Sequence, residues 1–249
     1  GLKKKAYYEL ISVQGGQKDN AITRESTAEL MILKEDLEAV KEYCAWIQQA
    51  WREEYAGTDE GITVTLTDEG EKEVKVLHPT SKEKVVFYLK NVPFGVQKMS
   101  GTIPGLVETS SNIGILTTTE DEVTATSSIR SSVETARDAI SDKIEYLTEF
   151  LGGEYEIQGA YPAWEYRKDS PLRDKMVEVY EEMYGEKPNV VAIHAGLECG
   201  LFYKKMEGLD CVSIGPDMKD IHTSEELLSI SSTERVWKYL VKVLAALKN

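Results

Sequence analysis

Two long helical patterns, each preceded by a pair of strand-like runs, constrain the fold of this chain most. In the first copy, loosely alternating apolar residues predict strands over 7–13 and 28–33. Apolar residues at helical spacing then predict a helix over 35–55. Alternation with threonines predicts a half-buried strand over 62–66. A shorter helix is predicted over 81–89, before a proline that ends it.

The same order of elements recurs later in the chain. Strands are predicted over 112–116 and 123–129, followed by a helix over 131–151. Ser131 and Glu134 have the spacing of a capping box at the start of that helix. Strand, strand, helix and strand thus appear twice. Since the two copies share little sequence, the pattern predicts a duplication at the level of structure.

The character of the sequence changes near Gly159. Residues 161–164 have the composition of a linker, and the residues after them are organised differently. We therefore predict two domains, over 1–159 and 160–249.

Helices alternate with short apolar runs in the second predicted domain. Ser170 and the proline after it predict the start of a helix that runs to about residue 184. Runs at 189–193 and 211–214 have the composition of buried parallel strands. Ser231, with an acidic residue three positions on, predicts the cap of a terminal helix. This alternation predicts an α/β layer, so the fold class is α/β with an α+β first domain.

Charge and cysteine content narrow the classes of function. The formal net charge is −14, and such a surface repels phosphate backbones, so we predict no nucleic-acid partner. No apolar run approaches the ~20 residues that cross a bilayer, so we predict no membrane partner. The N-terminal residues lack the apolar stretch of a secretory signal. Cys44, Cys199 and Cys211 are too few for a disulfide framework, which predicts a cytoplasmic location.

Ionisable residues come after both predicted strands of the second domain. His194 and Glu198 lie between small residues just after the first of these strands, and His222 lies in a loop after the second. Ligand sites in open α/β sheets lie beyond the carboxyl ends of strands. From chemistry alone, these residues indicate a metal or anion site, with ordinary loop residues as the alternative.

The same residues carry a family resemblance. Six segments together resemble the aminoacyl-histidine dipeptidases, which are bacterial carnosinase-like members of the zinc aminopeptidase and aminoacylase family. The segments are 15–25, 104–112, 128–132, 194–200, 213–216 and 222–226. The resemblance runs along nearly the whole chain. It implies a catalytic α/β domain that holds two zinc ions, and a lid domain, inserted into it, that forms homodimers.

The resemblance implies a role for His222. This residue matches the last metal ligand of the family, and an imidazole is a usual zinc ligand. A carboxylate commonly orients such a histidine, and Asp220, Glu225 or Glu226 could do so.

The resemblance also implies substrate-binding residues. Arg130 matches a lid arginine that holds the substrate carboxylate, a task that suits a planar guanidinium. Glu198 and His194 match a segment that lines the active site, where they bind substrate or support the structure. Asn112 and Asn20 resemble lid positions near the substrate or in turns.

Several family motifs have no counterpart in the chain. The sequence contains neither the His-x-Asp ligand motif nor the Glu-Glu pair that carries the general base, and the resemblance places both upstream of Gly1. We therefore expect no catalytic residue in this chain. The chain is interpreted as part of a zinc dipeptidase that hydrolyses Xaa-His dipeptides, inactive alone. The alternative is a non-catalytic dimerisation or interaction module derived from such a peptidase.

Overall fold

The protein is a mixed α/β structure, described from a computed structural model for residues 1–192, 198–221 and 225–248. The strands are β1 (Tyr8–Gly15), β2 (Ser26–Ile32), β3 (Gly95–Met99), β4 (Val107–Thr118), β5 (Val123–Ser131), β6 (Met218–Lys219) and β7 (Leu227–Leu228). The helices are α1 (Leu37–Glu54), α2 (Pro79–Asn91), α3 (Glu134–Phe150), α4 (Pro171–Tyr184), α5 (Glu198–Lys205) and α6 (Ile230–Ala246). Within the described ranges, no helix is both long enough and apolar enough to cross a bilayer.

The chain forms two compact units, each built from several segments. Unit 1 comprises Gly1–Phe94, Asn112–Ser128 and Lys143–Glu154, and unit 2 comprises Gly95–Ser111, Ile129–Asp142 and Tyr155–Asn249. The predicted domain boundary near Gly159 was drawn from the sequence pattern, whereas the two units are defined by which residues pack together. It stays a prediction.

One sheet contains the first five strands. Its order is β2-β1-β4-β3, and β5 also pairs with β4. β1 and β2 are antiparallel over their whole length, with a shift of register between Leu10 and Ser12. β3 pairs antiparallel with the first half of β4. β2 and β3 lie at the two ends of the described path.

The first predicted copy is confirmed except for its last strand. β1, β2 and α1 lie where the sequence predicts them, and so does α2. Residues 62–66 are half-buried at alternate positions as expected, yet they form no strand. Their backbone bonds side chains of α1 instead: Val64 N–H donates to Gln48 Oε1 at 2.8 Å, and Ile62 O accepts from Arg52 Nε at 3.0 Å. Those side chains satisfy the groups that a neighbouring strand would otherwise pair.

The second copy repeats the two strands and the helix. The predicted capping box is wrong, because Ser131 is the last residue of β5 and α3 begins only at Glu134. Ser131 Oγ accepts from Val133 N–H at 3.0 Å, which is a local turn rather than a cap. No strand lies between α3 and α4, where the described residues are continuous, so the duplication covers three elements.

α4 and α6 form the apolar core of unit 2. Met176 and Val179 of α4 pack with Tyr239 and Val243 of α6, and all four are buried. Tyr239 also donates its hydroxyl to Met176 O at 2.7 Å. This pairing holds the C-terminal helix in place through burial of apolar surface.

The caps of these two helices differ in how well the sequence predicts them. Ser170 Oγ accepts from Arg173 N–H, and Gly185 ends α4 with φ 75°, both as expected. α6 is capped by Ser229 rather than by the predicted Ser231. Closely spaced serines offer the same chemistry at this helix start, so the sequence alone does not select among them.

The predicted parallel strands are wrong where the structure describes them. Residues 189–192 and 211–214 form no strand, and residue 193 lies outside the described part. Val191 is 68% exposed and Ile214 is 41% exposed. A buried parallel strand needs neighbouring strands and cover on both faces, and neither run has a ladder partner among the described residues. The short β6–β7 pair takes their place as the local strand structure.

Candidate functional site

The structure describes only some of the predicted site residues. His194 and His222 lie outside the described residues, whereas Arg130, Asn112 and Glu198 lie within them. Across the described ranges, no three His, Cys, Asp or Glu side chains are grouped to hold a metal ion. The described donors alone therefore do not fit a dinuclear zinc centre, and no chemical step is assigned through zinc.

Asn112 fastens the loop between β1 and β2 onto β4. Its side-chain Nδ2 donates to Ala21 O at 2.7 Å. Thr23 Oγ1, in the same loop, donates to Ile113 O at 2.8 Å. Two of the resembling segments thus meet within unit 1. The Asn112 amide nitrogen positions a loop.

Glycine permits the close approach of this loop to the strand. A Cβ at Gly114 would lie 2.1 Å from Asp19 O, and one at Gly16 would lie 1.9 Å from Gly114 O. Gly16 also has φ 74°, a conformation that only glycine adopts readily. The turn that follows β1 therefore lies directly against β4.

Arg130 lies on a strand that is held firmly at its end. It is half-buried on β5, one residue before Ser131. The Ser131 hydroxyl lies 2.9 Å from Thr109 Oγ1, and Ser132 N–H donates to Glu108 O at 3.1 Å. These contacts fix the backbone from which the Arg130 side chain extends.

Glu198 opens α5 and is exposed. A carboxylate at this position interacts favourably with the helix dipole, which gives it a structural role independent of any ligand. Gly200 is buried beneath the linker, where an added Cβ would lie 2.8 Å from Pro162 O. Residues 161–164, which the sequence predicts as a linker, therefore pack against the first turn of α5.

An ionic network in unit 2 was not predicted as a site. Lys204 Nζ of α5 lies 2.9 Å from Glu134 Oε1, and Arg137 Nη1 donates to Tyr161 O at 2.6 Å. The hydrogen bond from Lys204 holds the pKa of Glu134 below its usual value, against the opposing effect of burial. The spacing of Glu134 and Arg137 signals a local pair, but the sequence gives no signal for the pairing with Lys204.

Comparison with known proteins identifies the family. The model of peptidase family M20/M25/M40 matches residues 1–246. The chain belongs to this family. The resemblance drawn from the six sequence segments is confirmed.

Two relatives resemble the chain along nearly its whole length. The chain is 32% identical over 235 residues to the cytosol non-specific dipeptidase of Escherichia coli strain K12. The aligned region covers 94% of the chain and 48% of the relative. The structure of an aminoacylhistidine dipeptidase from Vibrio alginolyticus matches with a TM-score of 0.88 and 32% identity, over 99% of the chain and 50% of that protein. The chain spans about half the length of these relatives.

A more distant structure shares the fold alone. An aminopeptidase PepT from Bacillus cereus ATCC 10987 matches with a TM-score of 0.53 and 15% identity, over 68% of the chain and 46% of that protein.

Proposed function

We propose that this chain is part of a zinc-dependent dipeptidase that hydrolyses dipeptides with a C-terminal histidine. The observation that carries the proposal is the joint similarity, along nearly the whole chain, to a relative named a non-specific dipeptidase and to one named an aminoacylhistidine dipeptidase. Both relatives act on dipeptides by name, so the reaction class has more support than the preference for histidine.

Arg130 binds the substrate carboxylate in this proposal. A guanidinium offers parallel N–H donors that match the two oxygens of a carboxylate. The Thr109–Ser131 contact of 2.9 Å holds the end of β5 on its neighbouring strand. A binding group on a rigid strand is placed more accurately than one on a loop.

Asn112 acts on the substrate indirectly in this proposal. Its amide nitrogen is committed to Ala21 O, so it shapes the loop over 16–25 rather than reaching a ligand with that nitrogen. Glu198 and His194 support the segment that lines the active site, and Glu198 begins α5 there.

His222 is proposed as a ligand of one of the zinc ions in the intact enzyme. An imidazole is well suited to zinc, but a dinuclear site needs several more donors and a carboxylate base. The resemblance puts those groups outside this chain. We therefore propose that the chain alone does not hydrolyse dipeptides.

The chain also forms a homodimer through its first part in this proposal, in the cytoplasm. β2 lies at the end of the described sheet path, and most of its residues are exposed. Unpaired backbone groups on such an edge favour pairing with a second copy. The same edge supports the alternative function, a dimerisation or interaction module without catalysis.

A peptide-hydrolysis assay tests the proposal. The purified chain, and the protein encoded by the complete reading frame, are supplied with zinc and assayed on β-alanyl-histidine and on matched dipeptides that end in alanine. We expect no hydrolysis by the chain and selective cleavage of the histidine dipeptide by the complete protein. Equal cleavage of both dipeptides would limit the proposal to a non-specific dipeptidase. Failure of the complete protein to cleave any dipeptide would favour the interaction module.

A further inference from the structure

α5 and the segment after it bring two cysteines together. α5 has eight residues, from Glu198 to Lys205, and so rises about 12 Å. Gly208, with φ 77°, then reverses the chain. The residues from Gly208 to Cys211 can span a similar length, at most roughly 10–13 Å. Cys211 consequently returns to the start of the helix, where its Sγ lies 3.9 Å from Cys199 O.

Hydrogen bonds fix the returning segment, residues 208–211, at two of its residues. Arg167 Nη1 donates to Gly208 O at 2.9 Å. Asp210 accepts from Ser170 Oγ at 2.7 Å and from Leu172 N–H at 2.9 Å. Cys211 therefore comes directly after a fixed residue, which limits the positions that its side chain can take.

The start of α5 is anchored as well. Gly200 is buried, with Pro162 O and Trp164 Cβ so close that an added Cβ would lie 2.8 Å and 3.4 Å from them. Residues 162–172 thus contact the chain next to both cysteines, at the start of α5 and in the returning segment. Each thiol is half-buried rather than sealed in the core.

The electrostatic surroundings agree with this proximity. Burial raises the pKa of the Cys211 thiol, and the neighbouring Cys199 thiol raises it further, whereas a hydrogen bond from Trp164 acts in the opposite direction. A raised pKa keeps the Cys211 sulfur protonated near neutral pH, so its exchange with a disulfide is slow there and becomes faster as pH rises.

We propose that Cys199 and Cys211 are an oxidation-responsive thiol pair, which oxidised glutathione closes into an intrachain disulfide. Two S–H bonds break and one S–S bond forms. The two electrons and two protons pass to oxidised glutathione, which leaves as two molecules of reduced glutathione. In a reducing compartment such a pair is open, and it closes when the glutathione pool becomes oxidised.

The disulfide would join two segments that the sequence marks as belonging to the candidate site. Cys199 lies in the 194–200 segment, and Cys211 lies two residues before the 213–216 segment. Closure would fix the first turn of α5 against the returning chain. The disulfide itself does not depend on the proposed dipeptidase activity.

Peptide mapping of the native chain tests the pairing. Trypsin cleaves after Lys204 and Lys205, between the two cysteines, so the disulfide leaves two peptides linked. After treatment with oxidised glutathione, we expect a non-reduced peptide that links 176–204 to 206–219 and separates on reduction. Cys44 should remain a free thiol and serves as the internal control. A linkage of either cysteine to Cys44, or mixed disulfides with glutathione alone, would overturn the proposal.

A redox titration shows whether the fold favours the disulfide. The equilibrium between the thiol pair and a glutathione buffer is measured for the native chain and for the chain in guanidinium. If the native structure already places the thiols together, the disulfide should be favoured in the native chain by more than about tenfold over the unfolded one. An equal or smaller constant in the native chain would show that the fold does not prepare the pair. Cys211→Ser, as the matched variant, should yield only a mixed disulfide at Cys199.

Discussion

Lys82 Nζ lies 2.9 Å from Glu9 Oε2, and the two side chains are only 10% and 8% exposed. Lys82 also donates to Tyr8 O at 3.1 Å, and the Tyr7 hydroxyl donates to Glu9. The pair thus joins α2 to β1 within unit 1. A shielded ion pair whose two groups also make other hydrogen bonds is stable as a pair, but each partner is costly to leave alone.

A double-mutant cycle tests this dependence. Lys82→Met and Glu9→Gln should each lower the free energy of unfolding clearly, because each leaves a polar partner without its counterpart. The combination Lys82→Met with Glu9→Gln should lose less than the sum of the single losses, since no charge remains unpaired. Urea unfolding at pH 7 measures all of them. Strictly additive losses would show that the two groups do not act as a pair.

The same pair predicts a dependence of stability on pH. Hydrogen bonds from Tyr7 and then from Lys82 hold the pKa of Glu9 below its usual value. The pKa of Lys82 is raised, chiefly by its hydrogen bond with Glu9. Stability from Glu9 is therefore present above the unfolded pKa of about 4.3 and is lost as pH falls through the folded value. Stability from Lys82 is full below its unfolded pKa of about 10.4 and is lost as pH rises through the raised folded value. In Glu9→Gln, the loss of stability on acidification should be smaller than in the unmodified chain.

Helix boundaries could be predicted from the sequence where local chemistry determines them. α4 begins at Ser170-Pro171 and ends at Gly185 because each of these residues satisfies a helix end by itself. The strands at 189–193 and 211–214 were predicted from composition alone. Apolar β-branched residues do not reveal whether a partner strand exists, so that prediction failed in the described part.

The candidate site was predictable as segments but not as contacts. The glycines at 16 and 114 are visible in the sequence, yet their mutual contact joins residues almost a hundred positions apart. The pairing of Lys204 with Glu134 spans 70 residues. Such long-range contacts arise from the packing of whole elements, which residue spacing does not encode.

Asp210 should stabilise α4 from outside the helix. Burial raises its pKa, but hydrogen bonds from Ser170 and from Leu172 N–H outweigh that effect and hold the pKa below its usual value. Asp210→Ala should cost about 1 kcal/mol, the usual cost of a lost helix cap. Most of this contribution is present above about pH 3.9 and is lost as pH falls through the lowered pKa.

Asp174→Ala is the matched control for that substitution. Asp174 lies in the first turn of the same helix, but its side chain is 75% exposed and its contact with Arg173 is 3.8 Å. We expect a loss below about 0.5 kcal/mol. Thermal and urea unfolding of both variants measure the difference. Equal losses would mean that Asp210 contributes only its charge.

Gly16 should be needed for contact as well as for conformation. Gly16→Ala introduces a Cβ that would lie 1.9 Å from Gly114 O, at φ 74°. Gly105→Ala has a similar φ of 77° but meets open space, so it isolates the conformational cost of about 1–2 kcal/mol. Gly16→Ala should therefore lose more stability and should speed amide exchange over 17–25. Matching losses with unchanged exchange would show that the loop yields without cost.

The edge strand β2 should mediate dimerisation. Met31 on β2 is 42% exposed, and a lysine there should weaken pairing of two edges. Met218→Lys is the control, since Met218 is 40% exposed but belongs to the β6–β7 pair. Sedimentation velocity over a range of concentrations should show a dimer for the unmodified chain and for Met218→Lys, with a weakened dimer for Met31→Lys. A monomer at every concentration of the unmodified chain would contradict the proposed assembly.

His222 should be required for metal binding in the intact enzyme. In the protein encoded by the complete reading frame, His222→Ala should reduce bound zinc from two ions to one per subunit. Activity should fall by more than about 100-fold, because even residues that only orient a metal ligand contribute 10–100-fold. His78→Ala is the control, since His78 Nδ1 accepts from Thr80 N–H at the start of α2 and should leave the zinc content unchanged. Elemental analysis measures the metal independently of activity. Two zinc ions retained in His222→Ala would remove this residue from the ligand set, whatever the activity.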